Sequence, residues 1–240
     1  CVTTFDGGSC TSGYSYDATS GCRLTGVTHD HADYPTPKTP VYDANGRLTK
    51  DITGKTYTYD WLGRLTQAGS RYYTYDAMDG LSATGQDSNE HQLVYDGTDV
   101  RGEYRPDNTG RWMVPGSAAC TVQKVKRSGV DRTLFELRDI DGTVLLTFDA
   151  TAKTAKMHTY SAWGAHASTE AESLLGFKGE YRDSDNDQYP LGRGYRSYDP
   201  CVMQFGMPDG WSPFGAGGPH PHAIFDGDPV NGADPSGHFN

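Results

Sequence analysis

An eight-residue pattern, Tyr-Asp-x-x-Gly-Arg-Leu-Thr, occurs twice, 17 positions apart: Tyr42-Asp43-Ala44-Asn45-Gly46-Arg47-Leu48-Thr49 and Tyr59-Asp60-Trp61-Leu62-Gly63-Arg64-Leu65-Thr66. Internal repetition of this kind must be settled before any local reading, because a unit too small to fold alone has to stack on its neighbours. Further copies surround the pair. Tyr16-Asp17 leads to Arg23-Leu24-Thr25 in a looser version, and Tyr75-Asp76-Ala77-Met78-Asp79-Gly80-Leu81 reads as a decayed copy with one inserted residue and no arginine. Tyr95-Asp96-Gly97 begins another, and His158-Thr159-Tyr160-Ser161-Ala162-Trp163-Gly164 reads as a final degenerate unit.

The physics of one unit is legible. In Lys55-Thr56-Tyr57-Thr58-Tyr59 tyrosines alternate with polar residues, the period of a strand with one covered face. Asp60 can hold its own backbone two residues on, and Gly63 accepts a positive φ, so the chain reverses and Arg64-Leu65-Thr66 starts the return strand. Each unit is thus a hairpin, barely stable alone, and the units must lie side by side in a growing sheet. Leu134–Leu137 and Val144–Asp149 are expected as further strands, with Asp139–Gly142 as the turn between them. Thr169 to Leu174 is the one expected helical turn, on a capping-box pattern at Thr169–Glu172. The expected class is all-β. The 16 tyrosines and 30 glycines agree with it, tyrosine suiting half-buried sheet faces and glycine the turns.

The repeat motif resembles the YD repeat of RHS proteins, a group that includes polymorphic toxins, toxin-complex C subunits and teneurins. The stretch from Leu175 onward, with Arg196-Ser197-Tyr198-Asp199-Pro200, Met207-Pro208-Asp209-Gly210-Trp211 and Asp234-Pro235-Ser236-Gly237, resembles the RHS-associated core domain. The resemblance implies a curved, shell-like β-sheet closed by a C-terminal core plug. It divides the chain into a YD-repeat scaffold over residues 1–164, degenerate after 97, and a core domain over 165–240. It also implies aspartyl-type self-cleavage that releases a downstream toxin domain, with Asp209, Asp234 and Arg196 as the catalytic set. Gly237, His238 and Phe239 flank the cut. The family has leucine where His238 stands, and the bond after His238 is the first choice.

The residue types suit that chemistry. Two carboxylates held close cannot both ionise, so one keeps a proton and polarises a carbonyl while the other draws a proton from water. An arginine can stabilise the oxyanion or pin a carboxylate. The plain alternative is turn chemistry, since Asp-Pro and Asp-Gly open turns elsewhere at Asp199-Pro200 and Asp228-Pro229. The stretch Gly218-Pro219-His220-Pro221-His222-Ala223-Ile224-Phe225 departs from the family and is expected to disturb how the final strand seats.

Other groups are read as structural. His220/His222 and His29/His31 are loop histidines rather than metal ligands, so no metal or other cofactor is expected. Asp183, Asp185 and Asp187 lack the glycine and glutamate of a calcium loop and read as a solvated acidic turn. Cys201 is expected to be buried in a core or interface. Gly215–Gly218 has no phosphate-loop lysine and reads as a flexible turn. Five cysteines without a Cys-x-x-Cys pair make no zinc framework.

A net charge of −10 argues against nucleic acid as a partner. No apolar run is long enough to span a bilayer as a helix. The expected partners are a downstream toxin domain and a secretion or capping protein. The expected location is secreted or cell-surface, by resemblance, with no signal peptide read in this chain. Because it begins at Cys1, a fragment of a longer protein is expected rather than a lipoprotein. The competing expectation is a non-catalytic scaffold or adhesion module that binds glycan or protein, with Trp61, Trp112, Trp163 and Trp211 as stacking platforms if exposed, though burial is expected.

Overall fold

The computed structural model describes every residue except 1, 6–7, 20, 33–35, 88, 118–119, 128, 167–172, 184 and 239–240. Three strands, β1 (Val2–Phe5), β2 (Gly8–Tyr16) and β3 (Leu24–His29), form a first antiparallel sheet, and β4 (Val41–Tyr42) pairs with β5 (Leu48–Lys50). An eleven-stranded antiparallel meander follows. Its first half is β6 (Tyr57–Tyr59), β7 (Leu65–Ala68), β8 (Arg71–Tyr75), β9 (Leu81–Gln86), β10 (Asn89–Asp96) and β11 (Asp99–Tyr104). Its second half is β12 (Gly110–Ser117), β13 (Cys120–Arg127), β14 (Val130–Arg138), β15 (Val144–Asp149) and β16 (Thr154–Met157). Each strand pairs with its sequence neighbours, and the order ends on β6 and β16, so the sheet is open and not a barrel. The C-terminal segment contributes β17 (Tyr189–Leu191), β18 (Arg196–Asp199) and β19 (Gln204–Phe205). No α-helix occurs among the described residues, and the chain is all-β.

The repeat motif works as a turn clamp. Asp60 Oδ1 accepts the backbone N–H of Leu62 at 3.0 Å and of Arg64 at 2.9 Å, and Oδ2 accepts Arg64 Nε at 2.7 Å. Asp43 holds Asn45 and Arg47 in the same way, at 2.9, 2.9 and 2.7 Å. Gly63, at φ 91°, supplies the left-handed residue that closes the turn. Each guanidinium then covers the tyrosine of the next unit, Arg47 over Tyr59 at 5.0 Å and Arg64 over Tyr75 at 4.9 Å. The motif thus joins one hairpin to its neighbour as well as closing its own turn.

The third copy corrects the sequence reading, for it has no insertion. Asp79, at φ 62°, takes the place of Gly63, and Gly80 stands where Arg64 stands. The missing cation arrives from the C-terminal segment. Arg193 Nη2 donates to Asp76 Oδ2 at 3.0 Å, and its guanidinium covers Tyr95 at 4.7 Å. A side chain at position 80 would collide with it, because a Cβ there would lie 2.8 Å from Arg193 Nη2. The final degenerate unit uses Ser161, whose Oγ accepts the N–H groups of Trp163 and Ala165 at 3.3 and 3.1 Å.

One face of the meander is covered by the C-terminal segment. Leu48, Tyr57, Leu65, Tyr73, Leu81, Leu93 and Val100 pack with Leu174, Leu175 and Tyr181 in one core. Toward β16 that face turns polar. Gln123 Oε1 accepts Leu174 N–H at 2.7 Å, Ser173 Oγ donates to Glu136 Oε1 at 2.6 Å, and Arg138 pairs with Glu136 at 2.7 Å. The side chains of Phe135, Leu137, Leu145 and Phe148 are correspondingly exposed.

Several expectations are corrected by the packing. Asp183 is not solvated. It is fully buried, 3.1 Å from Arg71 Nε, and it accepts the hydroxyl of Tyr73. Asp185 and Asp187 are half-exposed but also paired, with Arg71 and Arg182. Cys201 is exposed because it falls in the turn after β18, its N–H held by Asp199 Oδ1 at 2.9 Å. Trp61 is 89% exposed at a turn tip and Trp211 49%, against the expected burial. The helical pattern at Thr169–Glu172 lies outside the described residues, as does Phe239.

Candidate active site

The three residues singled out from sequence meet in one buried cluster. Arg196 enters it from the start of β18, where its side chain shares a face with Tyr198. Asp209 follows Pro208 in a turn, with its own N–H on the carbonyl of Pro221 at 2.8 Å. Asp234 opens the last described turn, in which Gly237 N–H returns to Asp234 O at 3.4 Å. All three side chains have no exposed surface. Arg196 Nη2 lies 3.3 Å from Asp209 Oδ2 and 3.5 Å from Asp234 Oδ2, so one nitrogen serves both carboxylates.

The rest of the guanidinium is also engaged. Nη1 donates to Pro221 O at 3.2 Å, and Nε donates to the carbonyl of Gly237. The departure at Gly218–Phe225 therefore builds the site instead of disturbing it, since Pro221 O takes a hydrogen bond from each side. Beneath the guanidinium lies the ring of Phe205, at 3.7 Å. Burial pushes Arg196 below its ordinary pKa, and the charges of Asp209 and Asp234 act against that shift.

His238 is held on every side. Its backbone N–H donates to Asp234 Oδ1 at 3.0 Å, and Nδ1 lies 3.0 Å from Asp209 Oδ1. The imidazole is stacked between Tyr195, at 3.8 Å, and Trp211, at 4.1 Å. Asp209 Oδ1 also accepts Trp211 N–H at 2.9 Å, while Asp209 Oδ2 makes no hydrogen bond. Gly217 covers that oxygen so closely that a Cβ there would lie 2.6 Å from it. The Gly215–Gly218 turn is thus part of the wall of the site.

Sequence reasoning found the arginine, both aspartates, Gly237 and His238. It missed Tyr195 and Trp211 as a slot, Phe205 as the floor and Pro221 as an acceptor. The available signal was adjacency alone, with Tyr195 next to Arg196 and Trp211 two residues after Asp209. His222 is buried with Nδ1 3.1 Å from Phe205 O, its pKa lowered to about 4 by burial, and no group of three or more potential ligands occurs among the described residues. No described helix is long and apolar enough to cross a membrane.

No family model matches the chain. Among curated proteins it is similar to the tRNA3(Ser)-specific nuclease WapA of Bacillus spizizenii and to the tRNA nuclease WapA of Bacillus subtilis, 25% identical in each case. Each alignment covers 94% of this chain and 11% of the relative, so the chain spans about a ninth of the length of the proteins it matches.

Proposed function

We propose that this chain is the C-terminal part of the shell of an RHS/YD-repeat toxin-type protein, and that its last segment cuts its own backbone beside His238. One observation carries the reading: the Gly237–His238 peptide is gripped at both ends. Its carbonyl oxygen takes a hydrogen bond from Arg196 Nε, and its N–H reaches Asp234 Oδ1 at 3.0 Å. A cation on the carbonyl stabilises the oxyanion that forms on attack, and a carboxyl beside the nitrogen can protonate the departing amine. Asp209, whose Oδ2 is buried 3.3 Å from Arg196 Nη2, would take the proton of an attacking water. This geometry supports a cut at the Gly237–His238 bond. The likeness to a part of two tRNA nucleases supports a toxin setting. A downstream toxin domain would then be the part released, and export or surface display follows from the same setting.

Intact mass of the chain, fused at its end to a folded reporter, tests this. Loss of the reporter at either bond of His238, abolished by Asp209→Asn and by Asp234→Asn in variants with unchanged melting, supports self-cleavage. The fragment mass tells the two bonds apart. Full-length mass in the unaltered chain overturns it.

A second reading has its own observation. Trp61, Leu62 and Met78 stand exposed on adjacent turn tips, at 89%, 49% and 84%. Such an apolar row suits a binding module for glycan or protein. It gains if no processing occurs and ligand binding is lost in Trp61→Ala.

A further inference from the structure

At the end of the meander opposite the YD turns, the period-2 rule and the strand register bring four arginines to one place. Arg111 lies opposite Glu103 across β11 and β12, and Arg105 and His91 follow on the same face two residues from Glu103 and Leu93. Arg127 lies two residues beyond Val125, the partner of Arg111, and Arg71 opens β8 beside the β9–β10 turn. Together they line a cavity of about 130 Å³, to which Tyr181 and Asp185 also contribute. About 10–15 Å³ of such volume already holds one water, so a tetrahedral oxyanion fits.

The charges around it do not cancel. Arg71 is matched by Asp183 and Asp185, and Arg111 by Glu103 at 2.8 Å. Arg105 and Arg127 make no side-chain hydrogen bond or ion pair among the described residues, Asp107 and Glu103 acting on them only at longer range, although the chain as a whole carries a net charge of −10. Partial burial, with Arg111 and Arg105 close by, holds Arg127 below the ordinary arginine value. His91 Nδ1, on a residue 7% exposed, makes no hydrogen bond and lies 3.7 Å from Glu103 Oε2. A cavity lined by four guanidinium groups against two carboxylates, Glu103 and Asp185, with His91 Nδ1 facing Glu103, has donors in excess for an anion.

We propose that this cavity binds a small tetrahedral oxyanion of the phosphate class, held chiefly by Arg105 and Arg127. None of its lining residues belongs to the Arg196 cluster, and the proposal is independent of self-cleavage. Titration calorimetry with inorganic phosphate and with a simple phosphomonoester, run on the unaltered chain and on Arg105→Gln/Arg127→Gln, tests it. The expected result is binding to the unaltered chain, weakened about tenfold or more in the double variant, whose melting without phosphate stays unchanged. Tighter binding of the ester identifies the ligand as a terminal phosphoryl group, and tighter binding of inorganic phosphate identifies a free ion. Absence of binding by both, or equal binding by the variant, overturns the proposal.

Discussion

Asp183→Ala is the most informative single change to the scaffold, because Asp183 sits on the seam between the repeat sheet and the segment that carries the candidate site. Its carboxylate receives Arg71 Nε at 3.1 Å, the hydroxyl of Tyr73, and Asn186 Nδ2 at 3.2 Å. The side chains of Arg71 and Asp183 are only 6% and 1% exposed. Removing one member of a buried pair costs about 3–5 kcal/mol, and here it leaves Arg71 with only the half-exposed Asp185 as a carboxylate partner. In a chain of this size each kcal/mol lowers the melting temperature by about 2–4 °C, so the expected drop is about 6–20 °C. Asp185→Ala is the control. It removes a second carboxylate from the same Arg71, but that carboxylate is 55% exposed and is expected to contribute at most about 1 kcal/mol. Urea and thermal unfolding of both variants measure the difference. A loss in Asp183→Ala no larger than that in Asp185→Ala would refute the buried seam.

Two further outcomes are expected. Burial first, then the charges of Asp99 and Asp234, raise the pKa of Glu180 to about 7, above its value in the unfolded chain of about 4.3. The folded state therefore binds the extra proton, and stability falls as pH rises from about 4.3 through about 7. Glu180→Gln should equal the unaltered chain near pH 4 and exceed it in stability at pH 8, by urea denaturation; a pH-independent difference would contradict this. Gly217→Ala pushes a methyl group to within contact of Asp209 Oδ2, so processing of a reporter fusion should slow about tenfold or more with the fold retained, and an unchanged rate would remove Asp209 Oδ2 from the chemistry.

The hairpins were legible because their determinants are local. An aspartate that holds N–H groups two and four residues ahead, a glycine that accepts positive φ and an alternating tyrosine strand all act within one turn and its flanks. Asp60, Gly63 and Arg64 behave as their spacing implies, and so does Asp43 with Arg47. The candidate site was legible only through resemblance. Nothing local distinguishes Asp209 or Asp234 from the turn-opening Asp228, which holds the N–H groups of Val230 and Asn231.

Contacts between residues far apart in the chain decided the rest. Arg193 supplies the cation that the third repeat lacks, 117 residues away from Asp76. Asp183, which reads as a solvated turn, becomes a buried partner of Arg71. The Gly-Pro-His-Pro-His stretch, an expected disturbance, furnishes the Pro221 carbonyl that orients both Arg196 and Asp209. Repeat spacing and turn residues determined that this chain is a stack of clamped hairpins. Docking of the C-terminal segment against that stack determined which charges are buried, which arginines are left unmatched and which peptide bond faces the guanidinium. A turn is closed by hydrogen bonds that span four residues, whereas the environment of a charge depends on whatever the folded chain brings beside it.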